Sequence, residues 1–241
     1  MLISFIKGSP ALMINKEKTL VVSDLHIGNE FKLARSGLHF PSATKRMAQE
    51  LMWLYKKNKA KRIILLGDIK ESIGYPSREE FDAIATFFHE FRNVEIAIVK
   101  GNHDAHIAEL LRRIGINFFP VKELILNDLA LIHGNSMPSE TAMKKKYIIA
   151  GHSHIAVDVN GKVEKGWLVA GLGEGAVKNY PYLNKHIKLV VMPAFNSLIT
   201  GVNVYSETSW STPLLRNRVF NPSTAITYDL NRKIRFKGAG I

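Results

Sequence analysis

Apolar positions in this chain fall into short β-branched runs separated by stretches with helical spacing. Residues 19–23 (TLVVS), 62–66 (RIILL) and 94–99 (VEIAIV) are short and apolar on both faces, which predicts buried strands. Between the first two, Ser42 follows Pro41 as a helix cap, and Met47, Leu51 and Leu54 recur at i, i+4 and i+7. Between the second and third, Ser77 and Glu80 form a capping box ahead of an apolar face of Phe81, Ile84, Ala85 and Phe88. A third helix is predicted from Asp104 to just before Gly115, carrying Leu110, Leu111 and Ile114. The chain opens on two short strands around Gly8-Ser9-Pro10. Beyond Gly115 strands dominate, at residues 129–132, 147–150, 167–170 and 187–192. Residues 225–229 and 233–236 flank Leu230-Asn231-Arg232 as a terminal hairpin would.

That order, βαβα and then mostly β, predicts an α/β protein of two sheets with helices outside. No Gly/Ser/Pro-rich or single-charge stretch marks a linker, so the 241 residues are expected to form one domain, 1–241, with 196–241 as a C-terminal loop and hairpin extension.

Composition narrows the chemistry. Without cysteine there is no disulfide framework, thiolate zinc site, iron–sulfur cluster or cysteine nucleophile, so a metal must be held by His, Asp, Glu or Asn. Lys7 and the turn after it interrupt the apolar N-terminus after six residues, and no run approaches the roughly 18 apolar residues of a membrane span. The expectation is a soluble, cytoplasmic protein with no membrane partner. Lys and Arg exceed Asp and Glu by 33 to 21, a net charge of +12, and cluster at Lys56, Lys57, Lys59, Lys61 and Arg62 and at Lys144, Lys145 and Lys146. Such clusters attract phosphate and favour a nucleic-acid partner. Solvated helix ends and the lysine enrichment of a thermophilic host, with Gln49 the only glutamine, account for the same counts.

Five strands end in residues able to bind a cation: Asp24 and His26 after the first, Asp68 after Gly67, Asn102, His103 and Asp104 after Gly101, His133 before Gly134, and His152 and His154 after Gly151. Five of the nine histidines fall in these endings. Carboxyl ends of strands in open α/β sheets face a common crevice, and residues two apart on extended backbone point the same way, so Asp24 with His26 and His152 with His154 read as pincers. Each ending alone is an ordinary turn, cap or polar residue; in register they predict a metal site. Sulfur-free donors suit manganese, iron, zinc, cobalt or nickel. Seven candidates, Asp24, His26, Asp68, Asn102, His133, His152 and His154, exceed what one ion takes, which points to two divalent metal ions sharing a carboxylate. Spacing leaves open which aspartate is shared.

D-x-H, G-D, G-N-H-D, a single His and G-H-x-H, in that order, resemble the calcineurin-like metallophosphoesterases. Gly28-Asn29-Glu30, Arg35-Ser36-Gly37-Leu38 with Pro41, Gly67-Asp68-Ile69-Lys70, Pro193-Ala194-Phe195-Asn196 and Pro213-Leu214-Leu215 are similar to the archaeal ICC-like branch related to SbcD-type DNA repair nucleases. Glu71 stands where many relatives carry histidine. The resemblance implies a four-layer αββα sandwich of two mixed β-sheets flanked by helices. It implies Asp24, His26 and His154 on one metal, Asn102, His133 and His152 on the other, and Asp68 bridging both, with manganese the leading choice. A metal-bridging hydroxide would attack phosphorus, and His103, oriented by Asp104, would protonate the leaving oxygen. It also brings the possibilities of a homodimer and of DNA repair partners.

Three functions compete on these grounds: a dimetal phosphodiesterase acting on nucleic acid, a phosphohydrolase of small diesters such as cyclic nucleotides or nucleotide sugars, and a scaffold that keeps its metals for structure. The complete ligand set and His103 favour an enzyme. Other residues carry less. His89, His106 and His186 read as exposed; His39 falls where residues 31–41 could wall the cleft. Trp53 and Tyr55 are expected to pack against neighbouring elements, residues 171–175 (GLGEG) to form a flexible turn, and Pro193 to Asn196 to line the cleft.

Overall fold

Strands that are apolar on both faces need cover on both, and the computed structural model, which describes residues 2–38, 40, 42–116, 118, 120–204, 210–231 and 235–236, provides it in four layers. One sheet runs β14-β1-β2-β3-β4-β5, built from β1 (Ile3–Phe5), β2 (Leu12–Ile14), β3 (Thr19–Val22), β4 (Arg62–Leu66), β5 (Glu95–Val99) and β14 (Arg235–Phe236). The other runs β12-β9-β10-β11-β8-β7-β6, from β6 (Glu123–Leu126), β7 (Leu129–Ile132), β8 (Tyr147–Ala150), β9 (Ile155–Val159), β10 (Lys162–Ala170), β11 (Lys188–Val191) and β12 (Val202–Asn203), with β13 (Ile226–Asp229) also paired to β10. Strands β3, β4 and β5 are mutually parallel, as are β7, β8 and β11.

Side-chain alternation divides the core. Val21, Ile64, Leu66 and Val99 of the first sheet meet Leu131, Ile149, Trp167 and Val190 of the second, and Phe5 stacks on Trp167 with ring centroids 4.0 Å apart. The alternate residues face outward. Leu20, Val22, Ile63, Leu65 and Ile98 pack under helices α2 (Ala43–Lys57), α3 (Arg78–Glu90) and α4 (Ile107–Arg113). Ala130, Ile148, Leu168 and Leu189 pack under α5 (Glu140–Met143), α6 (Gly175–Asn179) and α7 (Pro213–Arg216). This is the αββα sandwich. Among the described residues no helix is long and apolar enough to cross a membrane.

The structure departs from expectation where distant segments decide. Ser77 Oγ accepts from Glu80 N, but the Glu80 carboxylate leaves the cap and takes Ser72 N and Oγ, so the box is half made. The buried face of α3 consequently centres on Glu80, Ile84, Phe87 and Phe88, with Phe81 and Ala85 at its margin. Asp104 does not cap α4, which starts after His106. Among the described residues the terminal hairpin does not form: β13 pairs with β10 in one sheet and β14 with β1 in the other, and Arg232 to Ile234 lie outside them. Residues 171–175 are not a free turn, because Gly173 and Gly175 press against the Arg218 and Asn217 carbonyls and α6 begins at Gly175. Tyr55 packs on the first core as expected; Trp53 instead is 55% exposed, with the Lys57 ammonium 4.1 Å from its ring.

Candidate metal centre

All five predicted endings lie beyond the carboxyl ends of parallel strands: Asp24 and His26 after β3, Asp68 after β4, Asn102 to Asp104 after β5, His133 after β7, and His152 and His154 after β8. The two sheets contribute on opposite sides of one point. One Nε2–Nε2 contact crosses it, His26 to His154 at 3.2 Å, and His154 Nε2 is 3.3 Å from Asp24 Oδ1. Asp68 Oδ2 is 3.2 Å from His133 Nε2 and 3.6 Å from His26 Nε2. Three groups of side chains result, Asp24, His26, Asp68 and His154; Asp68, His133 and His152; and, at the edge, His26, Glu71 and His103, each with ligand atoms within 4.8 Å of one another. Asp68 belongs to the first two.

The pincers do not arise from extended backbone. Asp24, His26, Asp68, His152 and His154 all have positive φ, between 42° and 68°, a left-handed conformation that non-glycine residues enter at a cost of roughly 1–2 kcal/mol each. Such strain persists where the surroundings over-determine the backbone, and here they do. Asp24 N donates to Gly67 O at 3.1 Å, His26 N to Asp68 O at 2.8 Å, and the His152 amide to both Asp24 oxygens at 3.1 Å. Ser23 Oγ adds a 2.7 Å bond to Asp24 Oδ2. Three glycines are required at this density, Gly67, Gly101 and Gly151. Gly67 has φ 82°, and a Cβ there would lie 2.3 Å from His133 Nδ1; at Gly151 it would lie 1.8 Å from Ser23 Oγ.

Further support comes from residues outside the motifs. Asn196, 1% exposed, donates its side-chain amide to Leu25 O at 2.8 Å and His26 O at 3.2 Å, while Phe195 N binds Ser23 O. Lys165 Nζ on β10 donates to Ala194 O and Asn196 O, and its burial pulls its pKa down to about 8. The Pro193 to Asn196 block thus lies beneath the first ligand loop rather than along a cleft wall. Thr212 Oγ1 donates to Gly134 O at 2.6 Å beside His133.

Glu71, singled out in the sequence only as standing where many relatives carry histidine, is part of the site. Its Oε2 is 3.0 Å from His26 Nδ1, its Oε1 2.6 Å from Lys32 Nζ on α1 (Asn29–Arg35), and its carbonyl accepts from His103 Nδ1. The sequence signal was a carboxylate three residues beyond Asp68. Buried Lys70 fixes the following loop by donating to the Ser72, Ile73 and Gly74 carbonyls. Asp104 does not hold His103; its carboxylate accepts from Ile69 N and Gly101 N, both at 2.8 Å, and ties the β4 and β5 loops together. Asn102 is exposed and His103 half-buried. His89, His106 and His186 are exposed and all three lie outside the centre's ligand groups, and His39 lies outside the described residues.

Opposed charges set the electrostatics. Burial pushes Asp24 up, but His154, His133 and His26 outweigh it and hold the carboxyl far below its usual range. Burial and His133 act in opposite senses on Asp68 as well, with a net lowering. The His133 ring resists burial because Asp68 and Asp24 face it, and rises to about 9; His152, half-buried beside the His133 cation, falls to about 4. Glu71, despite burial, is held at about 2 by His26 and Lys32.

Does this arrangement suit a metal ion? Ligand atoms about 2.1 Å from a common centre at tetrahedral to octahedral angles lie about 3.0–3.4 Å apart. The contacts of 3.2, 3.3 and 3.2 Å fall in that range. His133 Nε2 is buried without a hydrogen-bond partner, since the nearest acceptor, Asp68 Oδ2, lies off the hydrogen-bond direction, while His26 Nδ1 faces Glu71 and leaves its Nε2 toward the centre. Imidazoles and carboxylates crowded this closely fit divalent cations.

The model of the calcineurin-like phosphoesterase superfamily domain matches residues 18–178. Among solved structures, a nuclease MPE from Pseudomonas putida is 18% identical with a TM-score of 0.64, over 95% of this chain and 93% of that one. YfcE, a phosphoesterase from E. coli, is 16% identical with a TM-score of 0.38, over 72% of this chain and 77% of that one. No curated protein sequence matches. Every residue of the centre falls within the matched segment, and the chain belongs to the calcineurin-like phosphoesterase superfamily of metal-dependent hydrolases.

Proposed function

We propose that the protein is a dimetal phosphodiesterase that cleaves nucleic acid. The observation that carries this reading is the pair of ligand groups sharing Asp68, with His103 at their edge. Asp24, His26 and His154 would hold one ion, His133, His152 and Asn102 the other, and Asp68 both; carboxylate and carboxamide oxygens beside imidazoles favour manganese. Two divalent cations supply positive charge for phosphoryl oxygens and acidify an attacking water.

The chain's own residues do the rest. Ser23 and the His152 amide orient Asp24, and the His103 amide, 2.9 Å from Asp68 Oδ1, orients Asp68. A carbonyl only accepts, so Glu71 O fixes the proton of His103 on Nδ1 and leaves Nε2 to carry a second proton to the leaving oxygen. Glu71 also holds Lys32 in place beside His26 and His103. Nucleic acid is favoured over small diesters by the +12 charge.

The test is Mn²⁺-dependent cleavage of end-labelled single- and double-stranded DNA, with His103→Ala as control. The variant is expected to keep its metal and lose roughly 10²–10⁴-fold in turnover, the usual worth of a general acid. Unchanged turnover refutes the role of His103. Intact DNA alongside hydrolysis of bis(p-nitrophenyl) phosphate refutes the nucleic-acid substrate.

A further inference from the structure

Consecutive residues Asn102 and His103 open onto different cavities, so the loop that carries them divides the surface beside the metal centre. On the His103 side a cavity of about 330 Å³ carries both signs of charge, Lys32 and Arg35 against Glu71 and Glu80, with Phe31 and Ile73 as apolar walls. Lys32 is paired to Glu71 at 2.6 Å, and Glu80 is engaged by Ser72. Such a surface suits a nucleoside leaving group better than an anion. On the Asn102 side a cavity of about 490 Å³ is lined by Lys100, Lys122, Asn135 and Ser136, with no acidic residue among its lining.

The backbone brings those lysines together. Val121 forms a parallel bridge with Val99, its N donating to Ile98 O at 3.0 Å and its O accepting from Lys100 N at 2.8 Å. Lys100 and Lys122 are therefore the next residues along two adjacent parallel segments, whose spacing is about 4.8 Å. Both are exposed, and neither has an ion pair among the described residues. Two ammonium groups that line one cavity repel each other, and an anion between them relieves that repulsion. The cavity also reaches the centre, since Gly101 lines it and a Cβ on Gly101 would lie 2.2 Å from Asp68 Oδ1.

We propose that the Lys100–Lys122 cavity is a second phosphate subsite, taking the phosphodiester next to the scissile one along a nucleic-acid chain. The proposal rests on the phosphodiesterase reading above. The two ammonium groups act as point charges on the neighbouring phosphate, and Asn135 and Ser136 supply neutral hydrogen bonds. A substrate with one phosphate gains nothing from this cavity.

The experiment compares the full-length Mn²⁺-loaded protein with Lys100→Gln/Lys122→Gln on bis(p-nitrophenyl) phosphate, on a short thymidine oligonucleotide, and on that oligonucleotide with neutral methylphosphonates flanking one cleavable phosphate. The variant's kcat/KM is expected to fall at least about tenfold further on the oligonucleotide than on the one-phosphate substrate. Its log–log salt slope should flatten by about 0.7, the value for one phosphate contact on a single strand. Methylphosphonate should slow the natural protein and leave the variant's rate on the oligonucleotide unaltered. Equal losses on both substrates, or indifference of the natural protein to methylphosphonate, overturn the subsite and leave the phosphodiesterase standing. If a nucleoside diphosphate competes through these lysines while oligonucleotide cleavage ignores them, the phosphate belongs to a small nucleotide and the chain assignment is overturned. If the natural protein hydrolyses neither substrate, the phosphodiesterase reading falls, and oligonucleotide affinity by fluorescence anisotropy still decides the subsite: loss in the variant supports it, equal affinity overturns it.

Discussion

Replacing Asn196 with alanine tests whether the C-terminal segment sets the geometry of the first ligand loop. The substitution removes both side-chain bonds and strands Leu25 O, in a residue 1% exposed, while His26 O keeps its 3.0 Å bond from Asn29 N. Each lost bond is worth about 1 kcal/mol net, and stranding one acceptor raises the sum to about 2–3 kcal/mol. For a chain of this size that corresponds to a fall in Tm of about 4–12 °C. Asp24 and His26 hang from the same three residues of backbone, so Mn²⁺ affinity should fall about 10–100-fold, as when an outer support of a metal ligand is lost. Calorimetric Mn²⁺ titration and thermal denaturation by circular dichroism read the two effects. Asn196→Asp keeps the shape but loses the donors, and should reproduce the metal defect. A variant that melts within about 1 °C of the natural protein and binds Mn²⁺ equally well refutes the reasoning.

Gly151→Ala drives a methyl group into Ser23 Oγ and Asp24 Oδ2, and should weaken Mn²⁺ binding at least about tenfold in the same titration. Asp68→Ala should leave the protein unable to hold its full metal complement by elemental analysis; retention of two ions would rule out a shared carboxylate. Without metal, His133 at about 9 binds its proton more tightly folded than unfolded, so its contribution is complete below about pH 6.5 and lost as pH rises toward 9. His152 at about 4 has the opposite sign and costs stability as pH falls from about 6.5 toward 4, so Tm of the metal-free protein should peak near pH 6.5, and a flat profile from pH 5 to 9 would contradict both. Trp167→Ala should cost about 3–5 kcal/mol by denaturant titration, because that ring fills the seam between the sheets against Phe5.

The strands and the metal residues were legible because their signals are local. Runs such as RIILL end in a polar residue at the sheet's edge, and β4 falls on Arg62–Leu66 as the pattern predicts. Elements decided by distant partners were not. Helix α1 has seven residues and buries only Glu30, which binds Thr44 N and Oγ1, so no apolar periodicity announces it. The halves of the supposed hairpin have ordinary strand composition; only the position of β10 and β1 in different sheets separates them. Asp104 looked like a helix cap and an orienting group for His103, yet two backbone amides from different loops claim its carboxylate. The left-handed backbone at Asp24, His26, His152 and His154 is imposed by contacts across the sheets, which no spacing within one motif encodes.

The supports from Asn196 and Thr212 also impose an order of events during synthesis. Every candidate ligand, from Asp24 to His154, leaves the ribosome before the residues that brace the Asp24 and His133 loops. The first sheet, moreover, receives its last strand, β14, from the C-terminal end of the described chain. A nascent chain, folding from its N-terminus, carries its whole ligand set while the geometry is still slack. Tight metal binding would therefore wait until residues 196–212 have emerged, and a chain released before them would present the ligands without the grip.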